Sequence, residues 1–183
     1  MEEPMSDAVS ADELATKALE KLSEQGRSIS CAESLTGGLL ADAFVRIPGA
    51  SQTFRGGVVT YSDAVKTAVL GVNPQLLQTN TAYDPQVAVQ MSTAAREMFH
   101  SDYALATTGV AGPGPDEGVA PGKGYVSLAT SQGTEVREVN QPGTRPEVRA
   151  SFVRAALELL VSHLGLESRT QRPVAAVGFR WRK

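Results

Sequence analysis

The chain has very little cysteine and histidine, the residues that most often build disulfides and transition-metal sites. Cys31 is the single cysteine among 183 residues, and His100 and His163 are the only histidines. One cysteine cannot form an internal disulfide, and one cysteine with two histidines falls short of the four ligands of a structural zinc site. A catalytic metal would therefore have to rest on carboxylates.

Long apolar runs and an excess of positive charge are also missing. No run approaches the roughly 18 residues that a membrane-crossing helix needs, and the first residues, MEEPMSDAVSADE, are acidic and polar rather than basic and then apolar. We therefore expect a cytoplasmic protein with no membrane partner. The net charge of -3 argues against a general affinity for nucleic acid, which requires clustered Lys and Arg. The basic segment 166–183 is an exception, and a solvated tail explains it more simply than a binding arm.

What the sequence does contain is enough apolar material for one core, in patterns that alternate between strands and helices. Hydrophobic residues make up 42% of the chain and charged residues 20%, as in a single globular domain. Helical patterns cover 10–26, 39–47, 63–70, 84–100 and 145–164, and strand patterns cover 28–32, 54–61, 103–108, 125–130 and 136–139. This order, with the last two strands as a hairpin, predicts an α/β domain with helices on both faces of a mixed sheet. We expect residues 1–9 to be disordered, 10–165 to form the domain and 166–183 to form the tail.

Three unusual stretches follow predicted strands, and in an open α/β sheet the functional crevice lies beyond the carboxyl ends of the strands. They are Glu33 to Gly38, Tyr61 to Lys66 and Thr107 to Pro115. Ser34 lies between a strand and a helix N-terminus, where backbone N–H groups and the helix dipole favour negative charge. Gly37 and Gly38 let a ligand approach the backbone. Such a place suits a phosphate or the oxyanion of an acyl transfer, while a plain helix cap is the simpler explanation of Ser34 and Thr36.

A serine hydroxyl is a weak nucleophile without a base, and this chain offers few bases. Neither His100 nor His163 falls near the three stretches, which argues against a Ser-His-Asp triad. Lys66 is the candidate base, one turn into the helix after the strand that Tyr61 ends, because a pocket of low dielectric can depress a lysine pKa. A solvated surface lysine is the commoner case on a helix. The loop at 109–115 matches no nucleotide-binding fingerprint, although its N–H groups could hold a phosphate or a carboxylate.

Several spaced segments, in one order from about residue 10 to 165, resemble the CinA C-terminal-domain family of competence- and damage-inducible proteins. They are AESLTGG (32–38), PGAS (48–51), FRGGVVTYS (54–62) with Lys66 following, DYALATTGVAGPGP (102–115) and GTRPEVR (143–149). Characterised members of that family are nicotinamide-nucleotide amidases. The resemblance implies a three-layer α/β/α sandwich with a mixed, mostly parallel sheet. Many members carry an additional N-terminal domain; the chain is too short for it, and the stand-alone form is expected.

The resemblance further implies the hydrolysis of nicotinamide mononucleotide to nicotinate mononucleotide and ammonia, without a metal or another cofactor. The family's nucleophilic serine matches Ser34, its tyrosine matches Tyr61 and its lysine matches Lys66. We therefore expect Lys66 to take the Ser34 proton, directly or through Tyr61. The expected substrate contacts are Glu33, Leu35, Thr36, Gly37, Gly38, Thr108, Gly109, Ala111, Gly112 and Arg145. Backbone N–H groups at 35–38 would hold the oxyanion, and Arg145 would pair with the 5′-phosphate.

The chain departs from the family's usual sequence at a few positions. A function without catalysis therefore remains an alternative. Tyr83 stands where the family usually has valine, and Lys123 stands where it usually has threonine, adding a positive charge if that strand start lines the site. Arg149, one turn after Arg145, is expected to face solvent. The alternative to an enzyme is a ligand-binding or regulatory domain in competence or DNA-damage responses, although binding alone would not require a nucleophile with a base. A homodimer or larger homo-oligomer is the expected assembly.

Overall fold

The computed structural model describes residues 9–166, which form a five-stranded sheet with helices on both faces. The helices are α1 (Ala11–Glu24), α2 (Leu39–Val45), α3 (Asp63–Leu70), α4 (Pro74–Asn80), α5 (Pro85–Met98) and α6 (Arg145–His163). The strands are β1 (Ile29–Glu33), β2 (Phe54–Val59), β3 (Tyr103–Gly109), β4 (Lys123–Thr130) and β5 (Gly133–Asn140). The predicted disordered N-terminus and basic tail lie outside the described residues, apart from Val9 and Leu166, which pack against the core.

The strands lie in the order β2-β1-β3-β4-β5. The first three run parallel to one another, while β4 is antiparallel to β3 and β5 is antiparallel to β4. The predicted α/β class and mixed sheet are thereby confirmed, including the hairpin that ends it. Because β2, β1 and β3 are parallel, their carboxyl ends meet at one edge of the sheet, where a crevice forms.

Two apolar clusters separate the three layers. One cluster joins the sheet to α1, α2 and α6, and the other joins it to α3, α4 and α5. The central strand β1 is buried at every residue, and its side chains alternate between the clusters, so that Ile29 and Cys31 face the first and Ala32 faces the second. Small side chains at Ala104 and Ala106 of β3 also face the second cluster. None of the helices within 9–166 has the length and apolarity that a membrane crossing requires.

Most helix ends follow the predicted signals, but the N-cap of α2 is Gly38, which has no side chain to cap it, so neither Ser34 nor Thr36 caps it, and one helix was not predicted. Ser10 begins α1 in a capping box with Glu13, and Asp84 begins α5 by accepting from the Gln86 N–H at 2.7 Å. Helix α4 was not predicted from the sequence. It has seven residues and buries Leu77 alone, which is too little for a 3.6-residue periodicity to show, even though Asn73 and a following proline are a helix-start signal.

Gly124 lies where β3 and β4 approach each other most closely. A Cβ built on Gly124 would lie 2.2 Å from the Thr108 carbonyl oxygen and 2.4 Å from the Gly109 Cα. Both are backbone atoms of the paired strand, so they cannot move aside without disturbing the ladder. We expect Gly124→Ala to lower the free energy of unfolding by about 2 kcal/mol, measured by urea denaturation. Gly114→Ala is the control, because a Cβ there meets nothing within 4 Å; equal stability of the two variants would contradict the close approach.

Candidate active site

A cavity of ≈ 360 Å³ lies at the carboxyl ends of β1, β2 and β3. The three stretches singled out from the sequence all contribute to it. The predicted site residues that line it are Ser34, Leu35, Tyr61, Lys66, Gly109, Ala111, Gly112 and Arg145. The predicted residues outside this lining are Glu33, Thr36, Gly37, Gly38 and Thr108. Eight further residues line it that were not among the predicted site residues, although several belong to the same stretches, and they are Ser62, Asp63, Ala82, Tyr83, Val110, Gly114, Asp116 and Glu117.

Ser34 is the residue that follows β1 directly, and its backbone is fixed from two sides. Its N–H donates to the Thr107 carbonyl at 3.0 Å, and its own carbonyl accepts from the Gly37 N–H at 3.1 Å. The residue is 6% exposed and lines the cavity. Within residues 9–166 its hydroxyl has no hydrogen-bond partner. A hydroxyl that has no partner at the wall of a cavity, on a residue that is otherwise buried, is available to a ligand or to a reaction.

Glu33 was predicted to contact substrate, and the structure assigns it a different place. The residue is 1% exposed, and its carboxylate accepts backbone N–H bonds at the start of α2, from Gly38 and Leu40 at 3.0 Å and from Ala41 at 2.9 Å. The α2 N-terminus is therefore already occupied by an anion from the protein itself. A substrate anion cannot use these groups while Glu33 holds them.

The same contacts reduce the number of backbone N–H groups at 35–38 that could stabilise an oxyanion. The Gly38 N–H bonds to Glu33 and the Gly37 N–H bonds to the Ser34 carbonyl. In the part of the chain that the structure describes, the N–H groups of Leu35 and Thr36 have no such partner. Leu35 lines the cavity and Thr36 does not. The backbone N–H that directly follows Ser34 is thus the best-placed donor of the predicted group.

Arg149 was predicted to face solvent, and that prediction is wrong. Its Nε donates to the Leu35 carbonyl at 3.0 Å and its Nη2 donates to the Thr36 carbonyl at 2.8 Å. The Thr36 hydroxyl pairs with the Thr107 hydroxyl at 2.8 Å in the interior. A Cβ on Gly37, whose φ is +57°, would lie 3.2 Å from the Arg149 Nη2. Arg149, Thr36 and Gly37 therefore shape the turn that carries Ser34, instead of lining the cavity as Thr36 and Gly37 were expected to do.

Thr108 also acts behind the cavity wall rather than in it. It is fully buried, and its hydroxyl donates to the Ala82 carbonyl at 2.6 Å. This bond ties the segment before α5 to β3. The neighbouring residue Tyr83 lines the cavity, so Thr108 positions a wall residue and makes no contact of its own with the cavity.

Lys66 lies in the first turns of α3, and its side chain is only 2% exposed. Its Nζ lies 3.5 Å from an Asp63 carboxylate oxygen. Burial lowers the pKa of Lys66 below its ordinary value, and the negative charges of Asp63 and Glu117 oppose that shift. A lysine whose pKa is lowered in this way holds more of the neutral form that can accept a proton.

Arg145 and Tyr61 hold each other at the cavity wall. The Arg145 Nη2 donates to the Tyr61 hydroxyl and its Nη1 donates to the Gly112 carbonyl, both at 2.6 Å. Tyr61 is 58% exposed. A guanidinium has five N–H donors, so Arg145 can bind an anion while it keeps both contacts. Arg145 lies at the start of α6, and the fold brings that end of the helix next to Tyr61. Two residues that are far apart in sequence therefore belong to one site.

The carboxylates of the cavity wall were not among the predicted site residues. Asp63, Asp116 and Glu117 line the cavity, and the Tyr83 hydroxyl donates to Asp116. Burial and then the hydrogen bond to Asp116 raise the pKa of Tyr83. Lys123, expected to add charge if it lined the site, is exposed on β4 outside this lining. Between residues 9 and 166, no three His, Cys, Asp or Glu side chains group closely enough to hold a metal ion.

Comparison with known proteins agrees with these features. A model of the CinA C-terminal domain matches residues 11–164. A CinA-like protein of Frankia casuarinae is 42% identical over 149 residues, which are 81% of this chain and 34% of that protein. The chain thus spans about a third of the length of such curated relatives.

Solved structures show the same fold over nearly their whole length. A competence-damaged protein (CinA) superfamily protein from Enterobacter cloacae superposes with a TM-score of 0.84 at 29% identity, covering 90% of this chain and 98% of that one. The competence/damage inducible protein CihA from Agrobacterium tumefaciens superposes with a TM-score of 0.81 at 33% identity, covering 86% of this chain and 99% of that one.

Proposed function

The chain belongs to the CinA C-terminal-domain family, and on that premise we propose that it is an amidohydrolase that converts nicotinamide mononucleotide to nicotinate mononucleotide and ammonia. One observation carries the proposal: a single cavity is lined by Ser34, whose hydroxyl has no hydrogen-bond partner among residues 9–166, by the buried Lys66 and by Arg145. These supply a nucleophile, a base and an anion-binding group. A cytoplasmic location and assembly into a homodimer or larger homo-oligomer stay predictions.

The first step uses Lys66 as the base. In its neutral form, Nζ takes the proton of the Ser34 hydroxyl as Oγ attacks the carboxamide carbon. Burial supports this role because it lowers the lysine pKa. The transfer runs directly or through Tyr61, whose hydroxyl accepts from Arg145 and so keeps its own proton free to donate. The attack produces a tetrahedral intermediate with a negative oxygen.

The later steps need an oxyanion donor and a route for the leaving group. The Leu35 N–H is the candidate donor, and one such donor contributes on the order of a hundredfold or more in rate. Protonated Lys66 returns its proton to the departing nitrogen, the C–N bond breaks and ammonia leaves. The same lysine then activates a water that hydrolyses the Ser34 ester and releases the acid. Arg145 binds the 5′-phosphate by a charge-assisted hydrogen bond.

The direct test is turnover of nicotinamide mononucleotide by the purified chain in the presence of a chelator. Ammonia and nicotinate mononucleotide are both measured, and Ser34→Ala and Lys66→Met are assayed beside exposed control variants Ser23→Ala and Lys17→Met. We expect turnover by the wild type and by both controls, and loss of turnover in the two cavity variants. Binding of the nucleotide without turnover would overturn the hydrolase and favour the ligand-binding domain.

Asp63 gives this reaction a testable pH dependence. Burial lowers the Lys66 pKa, and the negative charge of Asp63 partly offsets this effect by favouring the protonated lysine. Asp63→Asn removes that charge and therefore lowers the lysine pKa further. The neutral fraction of Lys66 at a given acid pH then rises. We expect the acid limb of the kcat/KM profile to move to lower pH. Glu20→Gln, an exposed charge change on α1, is the control; an unmoved or upward-shifted limb would contradict Lys66 as the base.

A further inference from the structure

The charges of the cavity wall are unequally distributed around Tyr83. Asp63, Asp116 and Glu117, here called the acidic wall, line the cavity together with this tyrosine. The Tyr83 hydroxyl donates to Asp116. Burial first, and then the charges of Asp116, Glu117 and Asp63, raise the pKa of Tyr83, so all three carboxylates act on its hydroxyl. The cations of the lining are Lys66, whose pKa is lowered, and Arg145, which is paired with Tyr61 and Gly112.

A second observation shows that the cavity is built for a ligand and not merely acidic. The Ser34 hydroxyl lines the same cavity, on a residue that is 6% exposed, without a hydrogen-bond partner among the described residues. The acidic wall does not form a metal-binding group within residues 9–166. An organic cation, attracted by several carboxylates without coordination, fits these two facts better than a metal ion does.

We propose that the acidic wall selects carboxamide substrates whose ring bears a positive charge. This inference rests on the proposed function and adds a specificity determinant to it. A cationic ring near Asp63, Asp116 and Glu117 gains Coulombic attraction that a neutral ring of the same shape does not. Tyr83 lines the same cavity, and an aromatic ring attracts a cation that lies over its face. With Arg145 binding the anionic group of the substrate, the cavity suits a ligand that is positive at the ring and negative at the phosphate.

The test compares two ligands that differ in ring charge. Nicotinamide mononucleotide has a cationic ring, and its reduced form keeps the carboxamide, ribose and phosphate but has a neutral dihydropyridine ring. Both are titrated into Ser34→Ala, so that no turnover disturbs the equilibrium. The double variant Asp116→Asn/Glu117→Gln is then added. Its amide oxygens keep acceptors in place, including one for the Tyr83 hydroxyl, while two negative charges are removed.

We expect the double variant to raise the Kd of the cationic ligand about tenfold and that of the reduced ligand less than about twofold, with a smaller difference at high salt. Glu20→Gln/Glu97→Gln, which removes two exposed charges elsewhere, is the matched control and leaves both Kd values in place. If the double variant binds both ligands equally more weakly, or binds neither more weakly, the proposed role of the acidic wall is overturned, even if the wild type turns over substrate. Failure of the wild type to bind or hydrolyse either ligand overturns the proposed function and this inference together.

Discussion

Ser34→Ala is expected to lower kcat for nicotinamide mononucleotide by about a thousandfold or more, with little change in substrate affinity. The substitution removes the attacking oxygen and nothing that holds the turn together. The hydrogen bonds of Ser34 to Thr107 and Gly37 use its backbone N–H and carbonyl, which alanine retains. Single-turnover assays of nicotinate mononucleotide formation measure the chemical step, and equilibrium titration measures the affinity.

The expected loss is specific to the hydroxyl, and two further variants show this. Ser34→Cys retains a nucleophilic atom at the same position and should keep a measurable fraction of the activity that Ser34→Ala loses. Ser23→Ala removes an exposed hydroxyl at the end of α1 and should leave kcat unchanged. If Ser34→Ala kept more than about a tenth of the wild-type rate, another group would have to attack the carboxamide, and the assignment of Ser34 would be wrong.

Much of the fold was predictable because most elements carry their own signal. Helix α3 begins at an aspartate and ends before Gly71, whose φ is +64°, and both features are visible in the sequence. Strand β3 shows a continuous run typical of a strand that is buried on both faces, whereas β1 contains Ser30 and Glu33 and could be predicted only as a short strand. Helix α4 was missed since its single buried side chain, Leu77, leaves no periodic pattern. Local pattern and observed structure thus agree wherever an element is long enough to show a face.

The reactive groups of the site could be predicted from the sequence, whereas the residues that position them and complete the cavity wall could not. Ser34, Tyr61 and Lys66 follow strands whose carboxyl ends meet, so strand order alone brings them together. The contact of Arg149 with the Leu35 carbonyl joins residues 114 positions apart, and nothing in either local sequence indicates it. The carboxylates of Asp116 and Glu117 belong to a loop rich in glycine and proline, whose path decides which side chains face the cavity. Such contacts depend on tertiary packing, which periodicity does not encode.

Glu33→Ala is expected to lower the free energy of unfolding by about 3–5 kcal/mol. Three backbone N–H groups at the start of α2 donate to the Glu33 carboxylate, and two of the residues involved, Glu33 and Leu40, are almost completely buried. Alanine would leave these donors without a partner and would open a void between β1 and α2. Urea denaturation monitored by circular dichroism measures the loss.

A matched variant at an exposed helix start shows how much of the expected stability loss comes from the burial of the Glu33 contact and how much from helix capping alone. Glu13 also accepts a backbone N–H at a helix start, from Ser10 at 2.7 Å, but at an exposed position, so Glu13→Ala should cost far less because water replaces the lost acceptor. The loss of stability in Glu33→Gln should fall between the losses in Glu33→Ala and Glu13→Ala, since the glutamine amide keeps one acceptor oxygen. Because Ser34 directly follows Glu33, we expect Glu33→Gln to lower kcat more than it raises KM, through a displaced nucleophile. Equal stability of Glu33→Ala and Glu13→Ala would contradict the buried cap.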